Sequence, residues 1–338
     1  MNSEKLALGL IGCGWISEVV HLPNLLANSG VEVLAVADTS DERRARAMRL
    51  VPGARAYRDA AALLADDRLQ ATLIATPPFV AAELAEAAFV AGKHVYLEKP
   101  GSISMAAAEN IRSAWRGSGR VGMIGYNFRR NVAVEAALGH VRSGSLGALV
   151  GFQSVFTWAP GDDGGWRAQP GSGGALVDLA SHHVDLARLV VGAEVVEASA
   201  AIRSIARKDD TADLALQFAT GVVANIHVSS AEGRNANILR LFGRDGHLEV
   251  DLVRQGRVRV LRGDPPRGRL KRVARWLSSL DPASLAASGA EQSFPRLLDD
   301  FVRACRDGAT SNVRPSIDDG VEVLRVLDMA RATSGGAS

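Results

Sequence analysis

The sequence predicts an α/β protein, with a doubly wound parallel sheet in an N-terminal domain and a C-terminal α/β domain built on a large, mostly antiparallel open sheet. Three observations carry this. The chain has 338 residues, about two domains at the usual ~150 residues each. Its first part alternates short apolar runs with helical patterns, which is how a parallel sheet covered by helices reads. From Val195 to Leu261, β-rich runs are joined by turn signals such as Ala219-Thr220-Gly221 and Arg244-Asp245-Gly246, with no helical period between them. The division falls between residues 1–125 and 126–334.

In the first domain the apolar runs at 6–11, 31–37, 71–75, 94–98 and 121–126 are expected strands. Residues 41–50 and 79–91 have the period of helices, and Ser104 supplies an N-cap for another through Ala114. After Tyr126 the pattern predicts a helix over 132–142, a strand over 148–157, a Gly/Pro-rich loop over 160–174 and a helix to about Val190. Helices over 269–280, 294–306 and 317–332 close the chain.

Composition narrows the function classes. Apolar residues make up 47% and charged residues 22%, ordinary globular usage, so neither a disordered nor a disulfide-stapled chain is indicated. Thirty-nine Lys plus Arg against 37 Asp plus Glu leaves +2, no general field for steering nucleic acid. Cys13 and Cys305 form no pair motif, which argues against zinc or a disulfide framework and for the reducing cytoplasm. No run reaches the ~18 apolar residues of a membrane helix, and 71–82 is broken by Pro77-Pro78, so no stable membrane insertion is expected. The opening Lys5-Leu6-Ala7-Leu8-Gly9-Leu10-Ile11 runs into Gly12-Cys13-Gly14 without a small-residue cleavage site and reads as a buried strand, not a signal peptide.

Gly12-Cys13-Gly14-Trp15-Ile16-Ser17 directly follows that strand, a dinucleotide fingerprint with serine in place of the third glycine. The first glycine permits the tight turn and the second lets backbone N–H groups approach a pyrophosphate. The third position must be small for helix-strand packing, and serine is. Asp38 ends the second strand 26 positions beyond Gly12, where a carboxylate accepts hydrogen bonds from the adenosine ribose and repels a 2′-phosphate. NAD is favoured over NADP, with Arg43 and Arg44 the groups that could reverse the preference. This makes the N-terminal domain a Rossmann fold.

Further motifs identify a family. Ala75-Thr76-Pro77-Pro78 ends one strand, and His94-Val95-Tyr96-Leu97-Glu98-Lys99-Pro100 carries the next into a Glu-Lys-Pro turn. Trp166-Arg167 precedes Gly173-Gly174-Ala175-Leu176-Val177-Asp178-Leu179-Ala180-Ser181-His182-His183-Val184-Asp185. Together these resemble the Gfo/Idh/MocA family over nearly the whole chain. The resemblance implies a nicotinamide cofactor, hydroxyl or keto groups of sugars, inositols and nucleotide sugars as substrates, and a homo-oligomer. It also implies that Lys99, Asp178 and His182 line the reacting carbon. Redox-neutral glycosidases that recycle their NAD and non-catalytic sugar or nucleotide regulators share the family. Two positions depart from its pattern: Ala81 where many members have histidine, and Ala180 where glycine is common.

These residue types suit the chemistry. Oxidising a carbinol requires removal of the hydroxyl proton, and an imidazole with an ordinary pKa near ~6.5 accepts it near neutrality. Lys99 offers positive charge at the C-terminal end of a parallel strand, where ligands bind in such sheets. Asp178, His182 and Asp185 share one face of a helix at that spacing, and titratable groups on an otherwise apolar helix are costly to bury without partners. No third ligand motif accompanies them, so no metal is expected. His183, on another face, reads as a packing or surface residue.

The cofactor set is therefore Gly12, Gly14, Trp15, Ile16, Asp38, Thr76, Pro77, Glu98 and Lys99, and the catalytic set Lys99, Asp178 and His182. Tyr126, Arg129, Trp166 and Arg167 join Lys99, Asp178 and His182 as substrate contacts. The leading expectation is an NAD(H)-dependent dehydrogenase acting on a hydroxyl of a sugar, inositol or nucleotide sugar. The basic stretch 254–275 reads as a solvated amphipathic helix docked on its own subunit, or as a surface for a diphosphate substrate, an acidic partner or an anionic membrane surface.

Overall fold

The computed structural model describes residues 5–158, 165–169, 171–253, 257–262, 292–309 and 313–334. The expected helix over 269–280, and all of the basic stretch except 257–262, lie outside the described residues. Two compact units emerge: residues 1–127 with 294–324, and residues 128–293 with 325–338.

In the first unit, β1 (Leu6–Ile11), β2 (Val31–Ala37), β3 (Arg55–Tyr57), β4 (Ala71–Ile74), β5 (His94–Leu97) and β6 (Gly122–Ile124) pair in parallel in the order β3-β2-β1-β4-β5-β6. Such a sheet is covered on both faces, and β4 is buried at every residue. The strand order reverses between β1 and β4, so loops at their C-terminal ends frame a ligand crevice. Helices α1 (Leu22–Ala27), α2 (Asp41–Leu50), α3 (Ala60–Leu64), α4 (Pro78–Val90) and α5 (Met105–Ser118) make the crossovers. Ser40, Asp59 and Ser104 cap α2, α3 and α5 by accepting backbone N–H groups.

In the second unit, α6 (Val132–Arg142) precedes β7 (Leu149–Thr157), α7 (Gly174–Asp178) and α8 (Ala180–Val191). Strands β8 (Val195–Arg203), β9 (Thr211–Phe218), β10 (Val223–Ser229), β11 (Ala236–Gly243), β12 (Gly246–Asp251) and β13 (Arg257–Arg262) complete a sheet of order β13-β12-β11-β7-β10-β9-β8. Its pairs are antiparallel except β7 with β10. Along β9, Ala212, Leu214, Leu216 and Phe218 are buried while Asp213, Ala215 and Gln217 are exposed, the alternation of a sheet with one covered face. Helix α8 packs on β7 and β10.

The last helices do not follow the division at residue 125. In α9 (Ser293–Asp307), Leu297, Leu298, Phe301 and Val302 are buried in the core with Leu8, Leu10 and Tyr96 of the parallel sheet. Four such side chains at ~1.5–3 kcal/mol each explain why the chain returns to the first unit. Helix α10 (Ile317–Thr333) starts in that unit and ends in the second.

Candidate active site

The loop after β1 is fixed by sterics. Gly12 has φ +93°, and a Cβ there would stand 2.5 Å from the Ala75 carbonyl oxygen, so only glycine fits. Gly14 faces open space, where a pyrophosphate could approach the backbone. Ser17 does more than be small: its buried hydroxyl donates to the Gly12 carbonyl at 2.5 Å and braces the turn. Asp38 stands at the end of β2 with one oxygen accepting the Cys13 N–H and the other the Ser40 N–H, each at 2.8 Å. Arg44 is drawn to Asp41 and to the Asp38 carbonyl, and Asp41 and Glu42 in the first turn of α2 add negative charge. Burial, with Asp38 second, pushes the Cys13 thiol up to about 12, so it is no nucleophile.

These residues fit a dinucleotide. Thr76 carries a buried hydroxyl oxygen with no hydrogen-bond partner among the described residues, at the switch point beside Gly12. Pro77 precedes α4, Ile16 precedes a π-helical turn over Ser17–His21, and Trp15 is 67% exposed. Glu98, also in the expected cofactor set, turns its carboxylate to His21 at 2.9 Å. Lys99 follows β5 at the C-terminal edge of the sheet, and Tyr126 is buried beyond β6.

In the second unit the Gly173-Gly174 pair opens α7. Gly174 has φ +60°, and a Cβ would meet the Asp209 carbonyl oxygen at 2.3 Å, while that carbonyl accepts the Ala175 N–H at 2.8 Å. The segment is not one helix. It breaks at Leu179, so Asp178 ends α7 while His182 and Asp185 belong to α8. All three are buried. Asp178 accepts from Arg167 Nε at 2.6 Å, and the Arg167 guanidinium lies 5.0 Å from the Trp158 ring and 4.8 Å from the Trp166 ring. Trp166, Arg167 and Asp178 therefore form one cluster, with its cation within cation–π distance of two indoles. His182 lies 4.5 Å from the Phe128 ring and 5.9 Å, edge-on, from Phe156.

Arg129 turns inward. Its guanidinium makes a two-pronged pair with Asp185 at 2.8 and 2.5 Å, with side chains 8% and 1% exposed, which ties the residue expected to contact substrate to helix α8. His183 is fully buried, bonded through Nε2 to Asn237 at 3.0 Å and stacked 5.2 Å from Phe156. Burial, partly opposed by that hydrogen bond, lowers its pKa to about 4 and keeps it neutral. Phe128, Phe156 and Asn237 escape the sequence reading because their partners lie far away in the chain, and Trp158 because the Gly/Pro-rich loop separates it from Arg167. The aromatic alternation Phe156-Thr157-Trp158 at a strand end was the one available signal. No cluster of metal-ligating side chains occurs among the described residues. Lys99 belongs to the first unit, and Asp178 and His182 to the second.

Comparisons with known proteins agree with this geometry. Residues 6–133 match the profile described as the oxidoreductase family with NAD-binding Rossmann fold, and residues 134–249 match the GFO/IDH/MocA C-terminal domain. The dTDP-3,4-didehydro-2,6-dideoxy-alpha-D-glucose 3-reductase of Streptomyces violaceoruber is 31% identical over 342 residues, covering 99% of this chain and 96% of that protein. The enzyme of the same name from Streptomyces antibioticus is 28% identical over 337 residues, with 98% and 99% covered. A solved structure of levoglucosan dehydrogenase in complex with NADH and levoglucosan superposes with a TM-score of 0.86 at 24% identity, covering 99% and 98%, a likeness of fold. A glycine turn closed on a parallel sheet, a second open sheet packed by the helix that carries His182, and near-complete overlap with these relatives lead to one assignment: the chain belongs to the Gfo/Idh/MocA family of oxidoreductases, and its first unit is an NAD-binding Rossmann domain.

Proposed function

We propose that the protein is an NAD(H)-dependent dehydrogenase or reductase that moves a hydride to or from a hydroxyl-bearing ring carbon of a sugar, with nucleotide sugars as the first class to screen. The observation that carries this is the buried pair Asp178 and His182, a carboxylate and an imidazole four residues apart, in a chain whose Rossmann loop fits a dinucleotide. The two Streptomyces relatives, matched along their whole length, support the nucleotide-sugar class.

Gly12, Gly14, Asp38 and Thr76 would hold NAD, which would supply the hydride acceptor. His182 takes the hydroxyl proton in oxidation and returns it in reduction. Lys99 stabilises the negative charge that develops on the substrate oxygen. Asp178, pinned by Arg167, orients a substrate hydroxyl, and Trp166 offers an aromatic face to an apolar sugar surface. The carboxylates at Asp38, Asp41 and Glu42 favour NAD over NADP. We propose further that the exposed face of the second sheet, with Ala215 and Val223 among its residues, pairs with a second copy, which light scattering tests. The compartment we propose is the cytoplasm, with Cys13 and Cys305 as free thiols. No helix among the described residues is long and apolar enough to cross a membrane.

The deciding experiment follows NADH absorbance across nucleotide sugars, free sugars and inositols, with leaving-group release assayed in parallel. Stoichiometric NADH and product are expected. Leaving-group release at constant NADH marks the redox-neutral glycosidase instead, and sugar binding without turnover marks a regulator.

A further inference from the structure

We infer that His21 is a positioning residue for the reaction: acting through the Glu98 carboxylate, it sets where Lys99 stands at the end of β5. The inference rests on the proposed role of Lys99 at the developing alkoxide. His21 Nε2 lies 2.9 Å from Glu98 Oε1, with side chains only 6% and 12% exposed. Glu98 Oε2 accepts the backbone N–H of Lys99 itself at 3.2 Å, so one carboxylate links the histidine to the lysine's main chain. The Glu98 backbone N–H donates to the Ile74 carbonyl at 2.9 Å. Gly125 closes the other side, since a Cβ there would stand 2.9 Å from Oε1. The His21 ring is fixed edge-on by Tyr96 at 5.8 Å and Phe294 at 6.0 Å.

The local backbone explains why a histidine nine positions past Gly12 reaches Glu98. His21 ends the π turn, in which the Leu22 N–H bonds to the Ser17 carbonyl, five residues back. That wider turn changes the angle at which the following side chains leave the helix, and such turns cluster at functional sites. Its first residue, Ser17, is the one whose hydroxyl braces Gly12. A single five-residue turn thus joins the cofactor loop at one end to the Lys99 strand end at the other. A buried carboxylate that loses one of its two donors moves or takes up water, and Lys99 moves with it. Displacing a reacting group by ~1 Å from remote changes costs up to ~10²-fold in rate.

The test compares His21→Leu, which removes the donor, with His21→Gln, whose amide nitrogen can stand near the place of Nε2. Trace acetylation with acetic anhydride, read by peptide mass spectrometry, reports the environment of Lys99 against exposed Lys208 without any substrate. His21→Leu is expected to change the Lys99 rate at least threefold relative to Lys208, and to leave NADH affinity, by fluorescence titration, within threefold. Turnover on the sugar that reduces NAD in the screen is expected to fall at least tenfold with KM within threefold, and His21→Gln to restore both readouts to within threefold of wild type. An unchanged Lys99 rate in folded His21→Leu, a turnover loss below threefold, or a Gln variant as impaired as the Leu variant overturns the inference. Should His21→Leu fail to fold, Glu98→Gln replaces it, because His21 and the Lys99 N–H bond to different carboxylate oxygens and the amide keeps only one of these as an acceptor, and an unchanged Lys99 rate there overturns the inference equally. Lys99→Ala with wild-type turnover instead overturns the proposed role of Lys99 while leaving the labelling result standing.

Discussion

The cofactor loop and the α7–α8 region, the two parts of the candidate site, are built on different principles. The cofactor loop is a product of backbone geometry: Gly12 excludes any Cβ, Ser17 braces the turn, and Asp38 is tied down by two main-chain N–H groups. The α7–α8 region is a product of side-chain pairing: Asp178 with Arg167, Asp185 with Arg129, and His183 with Asn237. A backbone site tolerates change in its side chains and fails when the turn is filled. A side-chain site inside a buried helix fails when one partner goes, because the other is left charged or unsatisfied in a poor solvent for it.

The largest expected effect tests that second principle. Arg129→Met leaves the Asp185 carboxylate buried without its guanidinium, and removal of one partner from such a pair costs ~3–5 kcal/mol. Urea unfolding should show a loss of that size, with Asp185→Leu in the Met background recovering part of it. A loss below ~1 kcal/mol would place Arg129 outside the structural role assigned by its geometry.

The adjacent histidines sharpen the comparison. His182→Ala should lower turnover at least ~10²-fold, about 2.7 kcal/mol, with NADH affinity little changed. His183→Gln should keep most activity and change the pH dependence of stability instead. The folded His183 has its pKa lowered to about 4 against an ordinary 6.5, so between those values the unfolded chain binds the extra proton. Its contribution is therefore fully present above pH 6.5 and lost as pH falls toward 4, roughly 2–3 kcal/mol between pH 7.5 and 4.5. Subtracting the His183→Gln profile from wild type isolates this term, since His94, also lowered by burial, titrates in both proteins. Coincident profiles, or an inactive His183→Gln beside an active His182→Ala, would reverse the assignment of the pair.

The contrast also explains what was legible in the sequence. Strands β1 and β2 and helix α2 coincide with their sequence-predicted bounds, and the fingerprint placed Gly12 and Asp38 together, because these depend on local period and on a turn with one steric solution. The pairings of Arg129 and Glu98 were not legible, since each partner lies 56 or 77 residues away. The break at Leu179 and the π turn at Ser17–His21 carry no proline or glycine to announce them. The short strand β3 and helix α3 passed without a periodic run long enough to detect. The final helices were assigned by sequence order, while burial of Leu297 and Phe301 in the parallel-sheet core decides where α9 belongs.

A smaller effect is expected at the edge of the cofactor loop. Asp38→Asn keeps an oxygen for one of the two main-chain N–H groups and removes the charge. The ratio of NAD to NADP affinity should fall at least tenfold, ~1.4 kcal/mol, by fluorescence titration of both reduced cofactors. An unchanged ratio would move the discrimination to Asp41 and Glu42 in the first turn of α2.

The smallest effect concerns a side chain in the site that backbone geometry dominates. Trp15 occupies the variable part of the fingerprint and is 67% exposed, so it contributes little to the core, and Trp15→Ala should leave the melting temperature unchanged within experimental error. Partial burial of this indole against a bound dinucleotide would be worth less than ~1 kcal/mol. NADH affinity should therefore weaken by two- to fivefold while the NAD to NADP ratio stays at its wild-type value. A loss greater than tenfold would show that a side chain, and not the Gly12 turn, supplies most of the binding in this loop. No loss at all would leave the backbone N–H groups and Asp38 as its working parts and remove Trp15 from the cofactor set.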